Sequence, residues 1–305
     1  MSLTSFIQEK EVREKFLQTF STPIIEANKP MLAPKVSFRH SMIGTAFDYL
    51  LRFYLERVND GKIVKTEWIA NKAMAYLDSE NQLKAGKIIE GAKSCLENCL
   101  QSGFITNDLI NYSVLLAELD MTFRAGVEYR SKGIATPYDI KDLRGLISII
   151  NRDDFKAREI CMLNPDFGEA SAFVGGADAD IIIDDRLVDV KTTKTIEMRD
   201  KYFHQLIGYY ILSLIESDSA KPKLNEVKIY FSRYAYFWSM KIDEIISQDR
   251  KKFMSFAKWF ERKIKKRKTE REQHQKDELK DFLDNATVET FINEKGKRAI
   301  KFSRS

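Results

Sequence analysis

A chain of 305 residues, 44% hydrophobic and 31% charged with 13 glycines and 6 prolines, has enough apolar surface for one large core or two modest ones. Collagen-like repeats, low-complexity architecture and wholesale disorder are excluded. The net charge of +5 hides an asymmetry: residues 250–276 hold twelve Lys/Arg against three Glu, so a local +9 sits on a body of −4 and points to a polyanion contact.

In chain order, residues 1–20 read as a short amphipathic helix, after which Pro23, Pro30 and Pro34 hold the backbone extended. Ile43, Phe47, Leu50, Leu51, Tyr54 and Leu55 recur at helical spacing and predict a helix over 41–57. Helical periodicity continues in segments near 67–77, 80–102, 107–124 and 138–151, separated by Asp78-Ser79, Gly103 and the stretch from Gly133 to Pro137. Cys95 and Cys99 read as small buried residues on one face of this block. With Cys161 they are the three cysteines of the chain, too few for a four-cysteine zinc or iron–sulfur site.

After Arg152 the pattern shortens. Ile160–Leu163 and Phe173–Val174 are strand candidates, and 179–183 and 187–192 flank Asp184-Asp185 as a hairpin. Tyr202–Ile215 reads as a buried helix, followed by strands at Val227–Phe231 and Tyr236–Ile242. Residues 243–285 predict one long helix. Its apolar stripe (Ile246, Phe253, Phe256, Phe260, Ile264) ends where the Lys/Arg run begins, so its second half is expected to leave the body. The most apolar stretch, Leu206–Ile215, is too short to span a bilayer, and the first residues lack a secretion pattern. A cytoplasmic protein with no membrane partner is expected.

The hairpin holds the chemistry. A two-residue turn at Asp184-Asp185 sets Ile183 opposite Arg186, Ile182 opposite Leu187, Ile181 opposite Val188, Asp180 opposite Asp189 and Asp178 opposite Lys191. Asp178, Asp180, Asp189 and Lys191 then share one face at the open end, with Ile181, Ile183, Val188 and Val190 on the other. Opposed carboxylates repel unless a cation lies between them, and two or three at this spacing make a hard oxygen site suited to Mg²⁺ or Mn²⁺. An ammonium two residues beyond the second carboxylate can polarise a water or neutralise charge developing on phosphorus.

The Asp…Asp189-Val190-Lys191 arrangement resembles the PD-(D/E)XK nuclease superfamily. The resemblance implies an α/β fold, a mixed sheet flanked by helices, in which the two acids hold divalent metal and the lysine assists the attacking water. The first acid is Asp178 or Asp180: hairpin register favours Asp180, while the Gly-x-x-Asp form favours Asp178. Gln205 and Tyr209 resemble the Gln-x-x-x-Tyr motif of the RecB-like branch, and Gly44-Thr45-Ala46-Phe47-Asp48 resembles its Gly-Thr-x-x-His segment, with Asp48 in the position of the metal-binding histidine. Glu159 or Glu169 could add a further acid. The branch members with a four-cysteine iron–sulfur cluster are excluded.

On this resemblance the nuclease core comprises 39–57 and 157–242. It is preceded by an N-terminal helix and linker (1–38), interrupted by a helical insertion (58–156) and followed by a long basic helix and tail (243–305). The implied activity is Mg²⁺- or Mn²⁺-dependent hydrolysis of DNA phosphodiester bonds through a metal-activated water, with Asp180, Asp189, Lys191, Gln205 and Tyr209 as catalytic residues. Asp48, Asp178, Asp180 and Asp189 are the implied metal ligands. The alternative is an inactive binding or scaffold subunit of the same fold, with protein partners in a repair or defence assembly. Lys263, Lys265, Lys266, Arg267 and Lys268, near Trp259 and Phe260, are the candidate nucleic-acid contacts, with a solvated helix face as the competing reading. Asp166-Phe167-Gly168 mimics a kinase tripeptide without its companion motifs and reads as a loop. His204 stands beside Gln205, and His40 adjoins Arg39 before the first core helix.

Overall fold

A computed structural model of the chain describes residues 2–126, 129, 133–216, 221–247, 249–284, 286–292 and 298–304. Its centre is a six-stranded mixed sheet of β1 (Ile63–Lys65), β2 (Cys161–Leu163), β3 (Ile181–Ile183), β4 (Arg186–Lys191), β5 (Glu226–Phe231) and β6 (Tyr236–Lys241), in that spatial order. β1 runs parallel to β2 and β4 parallel to β5, while the other three pairings are antiparallel.

Alternation along the strands sorts side chains onto two faces. Met162, Ile182, Leu187, Val227, Ile229 and Phe231 point to a core closed by α1 (Leu3–Ile7), α2 (Lys10–Thr19), α8 (Gly168–Val174), α9 (Asp200–Ile215) and α11 (Arg250–Asp284). Cys161, Leu163, Ile181, Ile183, Val188 and Tyr230 point to a second core beneath α3 (His40–Val58), α6 (Asn107–Ala125) and α7 (Pro137–Ser148). Ile181, Ile182 and Ile183 are all buried because helices cover both faces of β3, and three β-branched residues in a row suit that position. A third core joins α3 to α4 (Ile69–Ala73), α5 (Ser79–Ser102) and α6, and it includes Cys99 with Cys95 at its margin.

The hairpin turn forms without glycine. Asp184 takes a left-handed backbone (φ 54°), and its carboxylate accepts the N–H groups of Arg158, Glu159 and Ile160 at 2.8–3.2 Å. Burial alone would raise this carboxyl, but those donors and Arg186 hold it below the ordinary range. The turn is thus stitched to the chain entering β2.

Four expectations are corrected. Phe173–Val174 belongs to helix α8, because Ser171 Oγ receives Phe167 N–H and donates to the Ala177 carbonyl (both 2.7 Å), closing a compact helical turn. Residues 63–65, within the expected helical insertion, are a sheet strand. The first twenty residues make two helices rather than one. The expected 243–285 helix is α10 (Ile242–Ser247) followed by α11, which restarts where Asp249 Oδ1 accepts Lys252 N–H at 2.9 Å. Part of the tail, Ala286–Ile292 and Arg298–Arg304, pairs as an antiparallel ribbon; residues 285, 293–297 and 305 lie outside the described residues.

Candidate active site

Ile181–Ile183 pair with Arg186–Val188 in the register set by the two-residue turn. Beyond Ile181 the ladder changes. The Asp180 carbonyl accepts Asn164 N–H at 2.9 Å, and Asp178 bridges Asp166. The chain before β3 therefore follows the extension of β2. Asp180 keeps its link to β4 through its side chain, whose Oδ2 accepts Val190 N–H at 2.6 Å. Asp178 is consequently not opposite Lys191, which corrects the extrapolated pairing.

Lys191 turns instead toward Asp189 and α9. Its Nζ lies 2.7 Å from Asp189 Oδ2 and donates to Gln205 Oε1 at 3.2 Å. Gln205 Nε2 donates to the Tyr209 hydroxyl at 3.1 Å, and that hydroxyl donates to the Asp178 carbonyl at 2.7 Å. The four-residue spacing of Gln205 and Tyr209 puts both on one helix face. That face bridges the lysine to the loop bearing Asp178 and Asp180. Phe167 stacks on Tyr209 with ring centroids 5.6 Å apart.

A cavity of about 620 Å³ collects Asp48, Asp178, Asp180, Asp189, Lys191, Gln205 and Tyr209. The candidate catalytic and metal-binding residues are thus brought together. Asp48 arrives from α3, which packs on the opposite sheet face from α9. Glu159 and Glu169 are exposed and do not line the cavity. Sequence reasoning missed Asp120 and Arg124, which enter from α6: Arg124 Nε lies 2.5 Å from Asp120 Oδ1. It also missed Arg52, only 5% exposed, whose Nη2 lies 2.6 Å from Asp48 Oδ2 and whose guanidinium sits 4.3 Å above the Tyr49 ring. A helical i, i+4 Asp–Arg pair reads as an ordinary surface pair. Its burial was the missing signal.

The electrostatics are strained in one direction. Burial raises the Asp180 carboxyl, and Asp189 and Asp48 push it further. Burial also raises Asp189, against the pull of Lys191. Burial would lower the Lys191 ammonium, but Asp189 and Asp180 outweigh it and keep it above its ordinary value. Two carboxylate oxygens, Asp48 Oδ1 and Asp189 Oδ2, are buried without a hydrogen-bond partner among the described residues, the second despite its ion pair with Lys191. Buried oxygens of this kind are costly unless a donor or cation completes them, and carboxylate oxygens are the donor type that a hard divalent ion takes. Among the described residues no group of three or more His, Cys, Asp or Glu is arranged as an assembled metal site. Arg52 and Lys191 occupy two of the carboxylates.

His204 does not face this cavity. It is fully buried, stacked on Phe16 at 4.6 Å, and neither ring nitrogen has a hydrogen-bond partner among the described residues. Burial lowers it to about 4, Arg13 in the same sense and Asp200 opposing. The unfolded chain therefore binds the proton first, and stability is expected to fall as pH drops from ~6.5 toward 4, by ~1.4 kcal/mol per unit. Between pH 7 and 4.5, denaturant titration should show wild type losing roughly 2–3 kcal/mol more than His204→Phe. Equal losses would mean the imidazole is not held neutral.

The basic run lies along α11 and stays on the body longer than its apolar stripe. Lys263 pairs with Glu11 at 2.6 Å, Arg267 with Glu9, and Lys268 lies 4.9 Å over the Phe173 ring. Lys265, Lys266 and Lys268 pair along the helix with Glu261, Glu270 and Glu272. Phe260 is buried and His40 is exposed.

No family model, curated protein or solved structure matches the chain. Fold and site define a mixed α/β protein with a six-stranded sheet, flanking helices and an acidic, lysine-bearing pocket. No helix of the described residues is long and apolar enough to cross a membrane.

Proposed function

We propose that the chain is a metal-dependent nuclease of PD-(D/E)XK type that hydrolyses DNA phosphodiester bonds. The reading is supported above all by one observation: Asp180, Asp189 and Lys191 share a cavity with Gln205 and Tyr209, with Asp48 Oδ1 buried there without a hydrogen-bond partner among the described residues and Asp189 Oδ2 held only by the Lys191 ammonium. Asp180, Asp189 and Asp48, with Asp178 at the same wall, would hold Mg²⁺ or Mn²⁺. Such an ion supplies Lewis-acid activation of the attacking water and charge neutralisation at the phosphoryl group.

The remaining work falls to the chain's own groups. Lys191, whose ammonium Asp189 and Asp180 hold above its ordinary value, can stabilise negative charge developing on the attacked phosphate. Gln205 limits the swing of that ammonium by accepting from it, and Tyr209 anchors the loop that places Asp180. Arg124 adds a second cation to the cavity wall. On α11, Lys265, Lys266 and Lys268 would contact flanking phosphates. Their exposed carboxylate pairs are worth roughly 0–1 kcal/mol each, so exchanging a Glu for a phosphate is inexpensive.

A second reading, a binding or scaffold subunit that does not cut, is favoured by the pairing of Asp48 with Arg52 and of Asp189 with Lys191. The deciding experiment incubates purified protein with single- and double-stranded DNA in Mg²⁺ or Mn²⁺, with and without EDTA. Metal-dependent, EDTA-sensitive hydrolysis is expected. Intact DNA in every metal would leave the scaffold reading.

A further inference from the structure

The cavity extends beyond the carboxylates to two aromatic rings that the chemistry above does not use. Tyr76, at the end of the short 3-10 turn Met74–Tyr76, and Phe123, on α6, both line it. Their ring centroids are 5.6 Å apart at 66°, an edge-to-face pair. Tyr76 is 71% exposed although it borders a predominantly polar cavity. Arg124 follows Phe123 directly, its side chain half exposed and within electrostatic reach of Asp178 and Asp48.

We propose that Tyr76 and Phe123 form a stacking subsite for one unpaired nucleobase beside the scissile phosphate, making single-stranded nucleic acid the preferred substrate. The inference rests on the nuclease reading and deepens it. Three features match one nucleotide unit: an apolar ring surface for a base, Arg124 for a phosphate and an acidic floor for the cation accompanying it. The cavity volume, about 620 Å³, lies in the ordinary range for a ligand of this size. A base inside a duplex is stacked on both faces and cannot reach a ring at the wall of a pocket. An unpaired base can, and every base has a π-face, so the contact is tolerant of sequence.

The test uses the full chain in Mg²⁺ with phosphorothioate oligonucleotides containing 2-aminopurine, single-stranded or annealed. Wild type should quench the probe in the single strand. Tyr76→Ala should weaken single-strand binding by roughly 5- to 100-fold and abolish quenching, while Tyr76→Phe retains both. Duplex affinity should be the same for all three proteins. Because Tyr76 is exposed, its truncation spares the core, and matching melting curves will verify this. Single-strand affinity and quenching unchanged in Tyr76→Ala overturn the subsite, and the nuclease reading survives if wild type still hydrolyses DNA. Tyr76-dependent quenching without hydrolysis of any DNA supports the base subsite and overturns the hydrolytic reading instead. Neither quenching nor hydrolysis by wild type overturns both.

Discussion

Asp189→Asn is expected to abolish both divalent-ion binding and DNA hydrolysis, whereas Lys191→Ala should abolish hydrolysis and leave ion binding largely intact. The amide preserves the shape of a side chain that is only 2% exposed, but it removes the negative charge that a hard cation requires. The alanine removes the ammonium 2.7 Å from Asp189 Oδ2, which frees that oxygen. Each loss should lower the rate by on the order of a thousandfold or more, since metal activation and charge neutralisation each contribute several kcal/mol at the transition state. Calorimetric titration of Mn²⁺ separates the two variants, and a radiolabelled oligonucleotide assay gives the rates. Hydrolysis by Asp189→Asn at the wild-type rate would remove this pocket from the chemistry. Ion binding unchanged in that variant would remove Asp189 from the metal set.

The second large effect lies away from the pocket. Asp142, on α7, is fully buried and accepts Val36 N–H and Ser37 N–H at 2.9 Å and Arg233 Nη1 at 2.8 Å. Arg233, 2% exposed on the turn between β5 and β6, also donates to the Ala33 carbonyl at 3.2 Å. The pair therefore clamps the extended segment before α3 between a helix and the sheet. Next to it, burial would raise the Asp139 carboxyl, but Ser37, Thr136 and Arg39 donate to it and bring it below its ordinary value. Asp142→Ala strands a buried guanidinium and should cost about 3–5 kcal/mol, against less for Asp142→Asn, which keeps an acceptor oxygen. Chemical denaturation measures both. A loss under 1 kcal/mol for the alanine would mean that Arg233 finds water or another acceptor.

The hairpin was legible residue by residue because its side-chain period is two and its turn is two residues long. Once Asp184-Asp185 was placed, Ile181 could only face Val188. The same logic failed two residues further on, where backbone bonds to the chain beyond β2 compete for the strand. The helices of the insertion were readable from their periodicity and punctuation, Asp78 capping α5 and Gly103 ending it in a left-handed turn. Their contribution to the pocket was not. Asp120 and Arg124 look like any solvent-facing i, i+4 pair until α6 is set against α3. β1 was invisible for a different reason, since Ile63-Val64-Lys65 is too short to show a period. The clamp at Asp142 escaped because a buried carboxylate and its guanidinium, 91 positions apart, leave no local trace.

That β1 and β2 are parallel neighbours makes everything from α4 to α7 one crossover connection, leaving the end of one strand and returning to the start of the next. For a folding chain this is a loop whose closure entropy grows only logarithmically, by about 0.6 kcal/mol for each doubling of its length. That term sets little limit on the length of the connection, but α6 and α7 close the second core against the sheet and Asp142 anchors α7, so the stretch that can vary at least cost to the sheet is α4 to α5, which packs on α3 and α6 instead. The hairpin bearing Asp180, Asp189 and Lys191 forms from adjacent residues, whereas Asp120, Phe123 and Arg124 come from the packed helix α6 of that connection and Tyr76 from its more variable part. Variation there can retune what enters the pocket while the hairpin that would do the cutting stays the same.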